Sequence, residues 1–122
     1  MLEKKSMKIC LVEDEKLVRT TIRDELKEHG YNVVDFGNPF EALEYIKEES
    51  PEIVISDVKM PKMDGIELLT EIKKHSPETE VIIITAFGSV ANAVETIKLG
   101  AFNYLTKPFE FDELDSTIRK IV

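Results

Sequence analysis

The sequence predicts a doubly wound α/β domain: a five-stranded parallel sheet in the order 2-1-3-4-5, flanked by five helices. Three observations predict it. Five short apolar runs alternate with five stretches whose apolar residues recur at helical spacing. The first, third and fourth runs are nearly all apolar, as strands covered on both faces are, and that is the pattern of a parallel sheet between helical layers. Turn and cap residues then fall at the seams between runs.

Met7 opens MKICLVEDE, so residues 1–6 read as an N-terminal tail and residues 7–122 as the domain. Ile9 to Val12 make the first strand. Val18, Ile22 and Leu26 stripe the first helix, and Gly30 follows it where a left-handed cap is expected. Val33 to Phe36 make the second strand. Pro39 then stands in a first helical turn behind Asn38, with Phe40, Leu43 and Ile46 as the apolar stripe. The third strand is Ile53 to Ile55. Asp64 and Gly65 read as a turn and cap feeding the third helix, striped by Ile66, Leu69 and Ile72. Met60 and Met63 read as packing for the loop between. Val81 to Ile84 form the fourth strand. Ser89, after Gly88, caps a fourth helix whose Val90, Ala93, Val94 and Ile97 fall at i, i+3, i+4 and i+7, with Gly100 at its end. Phe102 to Leu105 and the stripe Leu114, Ile118 and Ile121 complete the alternation.

Composition narrows the class. A chain of 122 residues with 43% hydrophobic and 33% charged residues fits one globular domain able to bury a continuous core. No apolar stretch approaches the roughly 18 residues of a spanning helix, and MLEKKSMK lacks the apolar centre of a signal peptide, so a cytoplasmic protein is expected. The net charge of -8 argues against direct nucleic-acid binding by this domain, because phosphate contacts need a basic face. The single cysteine, Cys10, lies inside an apolar run and reads as a buried structural thiol. His29 and His75 lie near helix ends on polar stretches and read as surface residues rather than metal ligands.

In such a sheet, function collects beyond the carboxyl ends of the strands, where the strand order reverses. Strand 1 is followed by Glu13 and Asp14, strand 3 by Asp57, strand 4 by Thr85, and strand 5 by Lys107 ahead of Pro108. With strand 3 central, Asp57 has the acid pair on one side and Thr85 with Lys107 on the other. Three crowded carboxylates repel and raise their own pKa values unless a positive group enters. A hard cation with oxygen ligands relieves that repulsion, and Mg2+ suits a site with so few carboxylates. Lys107 and the Thr85 hydroxyl are placed to neutralise the oxygens of a phosphoryl group, and a carboxylate is an accepted nucleophile for making an acyl phosphate. Asp57 is therefore the candidate for phosphorylation. Each residue has a plainer reading alone: the acids as helix caps, Thr85 as a β-branched strand residue, Lys107 as a solvated lysine, Tyr104 as edge-strand packing. Their joint arrival at strand ends favours the site.

LVEDE at 11–15, SDVKMPKMDG at 56–65, IITA at 83–86 and YLTKPF at 104–109 resemble, in order and spacing, the signature of receiver domains of two-component response regulators. The resemblance covers roughly residues 7–122. It implies that Asp57 takes a phosphoryl group from a phosphohistidine on a sensor histidine kinase. Asp14 would ligate Mg2+ directly and Glu13 largely through water, with Asp57 and the Lys59 backbone carbonyl as further ligands. Thr85 and Lys107 would bind phosphoryl oxygens, Tyr104 would turn inward as the Thr85 hydroxyl moves, and Ala86 would leave the phosphoryl group room. Lys59 and Phe87 would tune hydrolysis, and the Lys107–Pro108 bond would be cis. The output surface would be the face of the fourth helix, fifth strand and fifth helix, also the expected surface for a homodimer. Such a domain assists its own phosphoryl transfer and dephosphorylation but turns over no independent substrate.

TAFGSVANAVETIKLGAFNYLTKPF is similar to receivers of NtrC-type regulators, which precede a sigma-54-activating ATPase and a DNA-binding domain. A C-terminal effector beyond Val122, acting in transcription, is thus the first expectation; a stand-alone receiver or phosphorelay carrier is the alternative. Other classes fit less well. A flavodoxin-like FMN carrier shares the topology but would place Ser, Thr and Gly, not Glu-Asp-Glu, after strand 1. A haloacid-dehalogenase-type phosphatase would carry an Asp where this chain has Lys59. A pseudo-receiver would usually lack Asp57, Lys107 or one of the acid pair.

Overall fold

Backbone pairing carries each apolar run into a strand and each striped stretch into a helix, in strict alternation. The computed structural model describes residues 7–60, 63–86 and 90–121. In chain order the elements are β1 (Lys8–Val12), α1 (Lys16–Glu28), β2 (Asn32–Phe36), α2 (Pro39–Glu49), β3 (Ile53–Asp57), α3 (Gly65–His75), β4 (Glu80–Ala86), α4 (Val90–Lys98), β5 (Asn103–Lys107) and α5 (Phe111–Ile121). The sheet order is β2-β1-β3-β4-β5, as expected, and every neighbouring pair is parallel. Ile9 pairs with Val33 on one side and Ile53 on the other, while Val54 pairs with Val81 and Ile82 with Asn103.

β3, β4 and β5 each run two residues beyond the apolar pattern at their carboxyl ends, to Asp57, Ala86 and Lys107. Ladder hydrogen bonds are made by backbone, so pairing continues after the side chains turn polar. Those extra residues carry the candidate chemistry.

Side chains alternate across the sheet and fill two cores. Cys10, Val12, Val54, Val81 and Ile83 pack with Ala42, Leu43 and Ile46 of α2 and Leu68, Leu69 and Ile72 of α3. Ile9, Leu11, Ile53, Ile55, Ile82 and Ile84 pack on the opposite face with Ile22 and Leu26 of α1 and Leu114 and Ile118 of α5. Full burial of one such aliphatic side chain is worth about 1.5–3 kcal/mol, so these two layers are the main favourable contribution to the fold.

Three helix stripes differ from expectation. Phe40 is 47% exposed while Ala42 is fully buried, because α2 turns Ala42, Leu43 and Ile46 inward and leaves Phe40 at its first turn in solvent. In α3, Ile66 is half-buried and Leu68 takes the inner place beside Leu69 and Ile72. In α4, Val94 and Ile97 are 47% and 42% exposed, and among its described side chains the fully buried one is Thr96. Helical periodicity identifies an apolar face but not what covers it.

The caps agree with the sequence. The Asn38 side chain accepts from the Phe40 and Glu41 amides at 2.8 and 3.4 Å, with Pro39 in the first position, and Asp64 accepts from the Glu67 amide at 2.8 Å. Gly30 (φ 90°) and Gly100 (φ 110°) take the left-handed conformation expected after α1 and α4. The Lys107–Pro108 bond is cis. Met60 and Met63 are buried in the core under α2 and α3, His29 and His75 are exposed, and burial, aided by the Asp35 charge, pushes the Cys10 thiol up to about 12. Among the described residues no helix is long and apolar enough to cross a membrane. Expectations for residues 1–6, Pro61, Phe87, Gly88, Ser89, the side chains of Ala86, Val90 and Ala93, and Val122 lie outside the described residues.

Candidate functional site

β1 ends on Val12 and delivers Glu13 and Asp14 past the edge of the sheet; β3, its neighbour, ends on Asp57. Glu13 and Asp57 are buried, and Asp14 is exposed. One carboxylate oxygen from each of the three lies within 4.8 Å of the others. β5 supplies Lys107, whose Nζ stands 2.7 Å from Asp57 Oδ2 and 3.0 Å from Glu13 Oε1. The ammonium therefore reaches across Asp57 to the first-strand acid instead of remaining on the far side. Its long flexible stem permits this, and the two buried carboxylates draw it in.

Electrostatics follow from that crowding. Burial, reinforced by the neighbouring Asp57 carboxylate, raises Glu13 to about 7, against the opposing pull of the Glu15 amide and Lys107. Lys107 loses basicity to burial, but hydrogen bonds to Asp57 and Glu13 outweigh that loss and hold it above the ordinary lysine value. The expected repulsion thus appears at Glu13, and the positive group that meets it is Lys107.

The surrounding backbone fixes these groups. Glu13 Oε2 accepts from the Glu15 amide at 3.0 Å, so the cap-like reading of this acid is also correct: one oxygen serves the opening of α1, the other faces Lys107. Asp57 Oδ1 accepts from the Lys59 amide at 3.1 Å, which holds the Val58–Lys59 peptide beside the carboxylate. The Val58 amide donates to the Ile84 carbonyl and the Gly65 amide to the Val58 carbonyl at 2.7 Å. A Cβ at position 65 would lie 2.4 Å from the Asp57 carbonyl oxygen and 2.8 Å from Val58 Cα, so Gly65 serves a close backbone approach as well as the turn.

Thr85 is buried in β4, one residue past Ile84, which is in register with Asp57. Its own register partner is Thr106, the residue before Lys107. Tyr104, opposite Ile83, is half-buried against the core under α2 and α3, so its ring is neither locked inside nor free in solvent. Arg19 was not singled out from the sequence: it donates to the Glu13 backbone carbonyl at 2.9 Å and to Asp35 Oδ2 at 3.1 Å. Its position was a signal, since a cation in the opening turn of a helix opposes the macrodipole.

The three carboxylates offer only oxygen donors, with no histidine or thiol among them, which is the donor set of a hard divalent cation. By chemistry and spacing the cluster fits such an ion.

Residues 9–119 match the family model described as response regulator receiver domain. The chain is 42% identical over 112 residues to the transcriptional regulatory protein ZraR of Escherichia coli strain K12, covering 92% of this chain and 25% of that protein. It is 34% identical over 113 residues to the sporulation initiation phosphotransferase F of Bacillus subtilis strain 168, covering 93% of this chain and 91% of the other. Among solved structures, the beryllofluoride-activated NtrC4 receiver domain dimer superposes with a TM-score of 0.88 at 36% identity, covering 93% of this chain and 94% of that one. The fold, the site and these matches define a signalling receiver domain of the two-component class. The chain belongs to the response regulator receiver domain family, and its relatives include NtrC-like regulators. It spans about a quarter of the length of the ZraR relatives it matches.

Proposed function

We propose that Asp57 is the phosphoacceptor, charged by a phosphohistidine on a sensor histidine kinase, with Glu13, Asp14 and the Lys59 carbonyl holding Mg2+ beside it. The observation that carries this reading is the Asp57 carboxylate itself: buried at the end of β3, ion-paired to Lys107 at 2.7 Å and within reach of two further acids. An Asp57 oxygen attacks phosphorus, the P–N bond breaks, and its electron pair returns to the imidazole of the donor. Lys107, already on the Asp57 side chain, follows the charge onto the phosphoryl oxygens, and the Thr85 hydroxyl donates to another. Mg2+, when bound, neutralises phosphoryl charge and relieves the repulsion among the acids. Acetyl phosphate with Mg2+ tests this: the parent is labelled and Asp57→Asn is not, whereas equal labelling of the variant would refute the assignment.

Output follows from the charge added. Close to two negative charges on Asp57 draw Lys107 and the Thr85 hydroxyl toward the phosphoryl group and bias Tyr104, in β5, toward the core. The face of α4, β5 and α5 is the surface that changes. Exposed Val94, Ile97 and Leu99 make α4 and its end apolar, which suits contact with a C-terminal effector domain or a second copy of this chain. The ZraR relatives, transcriptional regulatory proteins about four times as long as the aligned segment, favour a role in transcription within a longer regulator, which we place in the cytoplasm. The Bacillus phosphotransferase, aligned over nearly its whole length, favours the second reading, a stand-alone receiver or phosphorelay carrier. In neither does the domain turn over an independent substrate.

A further inference from the structure

The loop between β1 and α1 presents Glu13 and Asp14, and its shape depends on a contact outside the acid cluster. The Glu13 amide donates to the Phe36 carbonyl at 3.1 Å, which ties one end of the residue to β2. The other end is tied to β2 through Arg19. Its Nη1 donates to the Glu13 carbonyl at 2.9 Å, and its Nε donates to Asp35 Oδ2 at 3.1 Å. The carbonyl that Arg19 holds belongs to the peptide joining Glu13 to Asp14. Because that unit is planar, fixing the carbonyl fixes the direction in which Asp14 departs.

Two features set Arg19 apart from a solvated surface arginine. α1 has no acidic residue in its first turn, and a cation there is unfavourable without a partner; Asp35, itself only partly exposed and also within 3.5 Å of Arg23 Nη1, is that partner. The guanidinium also lies against Gly37, where a Cβ would meet Nη1 at 2.5 Å and Cζ at 3.1 Å. The planar fork is what lets one side chain serve a carbonyl and a carboxylate together.

We propose that Arg19, seated between Asp35 and Gly37, is a positioning residue for the divalent-cation site: by orienting the Glu13–Asp14 peptide it sets the affinity with which the cluster holds the ion. This rests on the reading of Glu13, Asp14 and Asp57 as a cation site.

Gly37→Ala is the discriminating variant, since it changes no charge and no residue of the site. Its Cβ meets only the far end of a flexible side chain, so the guanidinium moves and the fold remains. Titration calorimetry with Mg2+ should show affinity weakened about tenfold, the lower end of what losing an outer partner of a metal ligand costs. Arg19→Gln should weaken it too, although removing a positive charge beside acids would by itself tighten binding. Arg19→Lys keeps the charge, loses the fork and should resemble Arg19→Gln. In acetyl phosphate labelling, the Mg2+ concentration for half-maximal rate should rise while the rate at saturating Mg2+ is retained. Tyr31→Phe, which removes a hydrogen bond to Asp115 at the opposite end of β2, should lower Tm and leave Mg2+ affinity unchanged. Parental Mg2+ affinity in Gly37→Ala, or tighter binding in Arg19→Gln, would overturn the proposal. A parent chain that takes up no Mg2+ would overturn the cation site and this role with it.

Discussion

Glu13→Gln isolates the electrostatic core of the site. In the folded chain without metal, Glu13 takes up its proton at about 7, chiefly because it is buried and secondly because Asp57 is beside it, whereas the ordinary value is 4.5. Between those values the folded protein binds a proton that the unfolded chain does not, so stability falls as pH rises through the interval. At about 1.4 kcal/mol per pH unit, the ionised side chain costs the metal-free fold up to about 3 kcal/mol at pH 8, and under about 1 kcal/mol near pH 5. Glutamine keeps the shape and removes the charge. Urea denaturation with a chelator should therefore find Glu13→Gln more stable than the parent by about 1–3 kcal/mol at pH 8, with the difference closing toward pH 5. Titrating groups outside the Glu13, Asp57 and Lys107 set are shared and cancel in the comparison. Adding Mg2+ should raise the stability of the parent more than that of the variant. A parent-to-variant difference that is independent of pH would refute the idea that burial and Asp57 hold Glu13 up.

Other consequences are as direct. Gly65→Ala places a methyl against the Asp57 and Val58 backbone, which cannot step aside as a side chain could; denaturation should show a loss of about 1–3 kcal/mol, and acetyl phosphate labelling should slow because the acceptor's own peptide is displaced. Asn38→Ala removes the acceptor for two amides at the start of α2 and should cost about 1 kcal/mol by the same assay, with labelling unchanged. Cys10, buried and pushed up to about 12, should resist iodoacetamide at pH 8 in the folded protein and react once urea exposes it.

Much of this was legible in the sequence, for reasons particular residues make plain. Strands between two helical layers must be apolar on both faces, so ICLV and VIII declared themselves and the strand order followed from the βα alternation. Asp57, Lys107 and the acid pair were readable because each interrupts or ends such a run. The bond from Lys107 to Glu13 was less so: spacing places Lys107 at the end of β5, but how far its flexible stem reaches past Asp57 is decided by packing at the site. Arg19 and Gly37 were harder to read: a cation in the opening turn of α1 flags Arg19, but its partners, the Glu13 carbonyl and the Asp35 carboxylate on β2, leave no pattern in the sequence. Phe40, Val94 and Ile97 misled for the converse reason. An apolar residue at helical spacing reads as core, yet the exposed ones on α4 lie on the face proposed for output, where a partner rather than the sheet would cover them.

The central claim is that Asp57, rather than a neighbouring hydroxyl, receives the phosphoryl group. Ser56 and Thr85 are both buried within a residue or two of the site and offer the alternative acceptors. Peptide mapping after treatment with acetyl phosphate and Mg2+ separates them. One hydroxylamine-labile phosphoryl group on Asp57, absent from Asp57→Asn, is the predicted result; a hydroxylamine-stable phosphoryl group on Ser56 or Thr85 that persists in Asp57→Asn would contradict it.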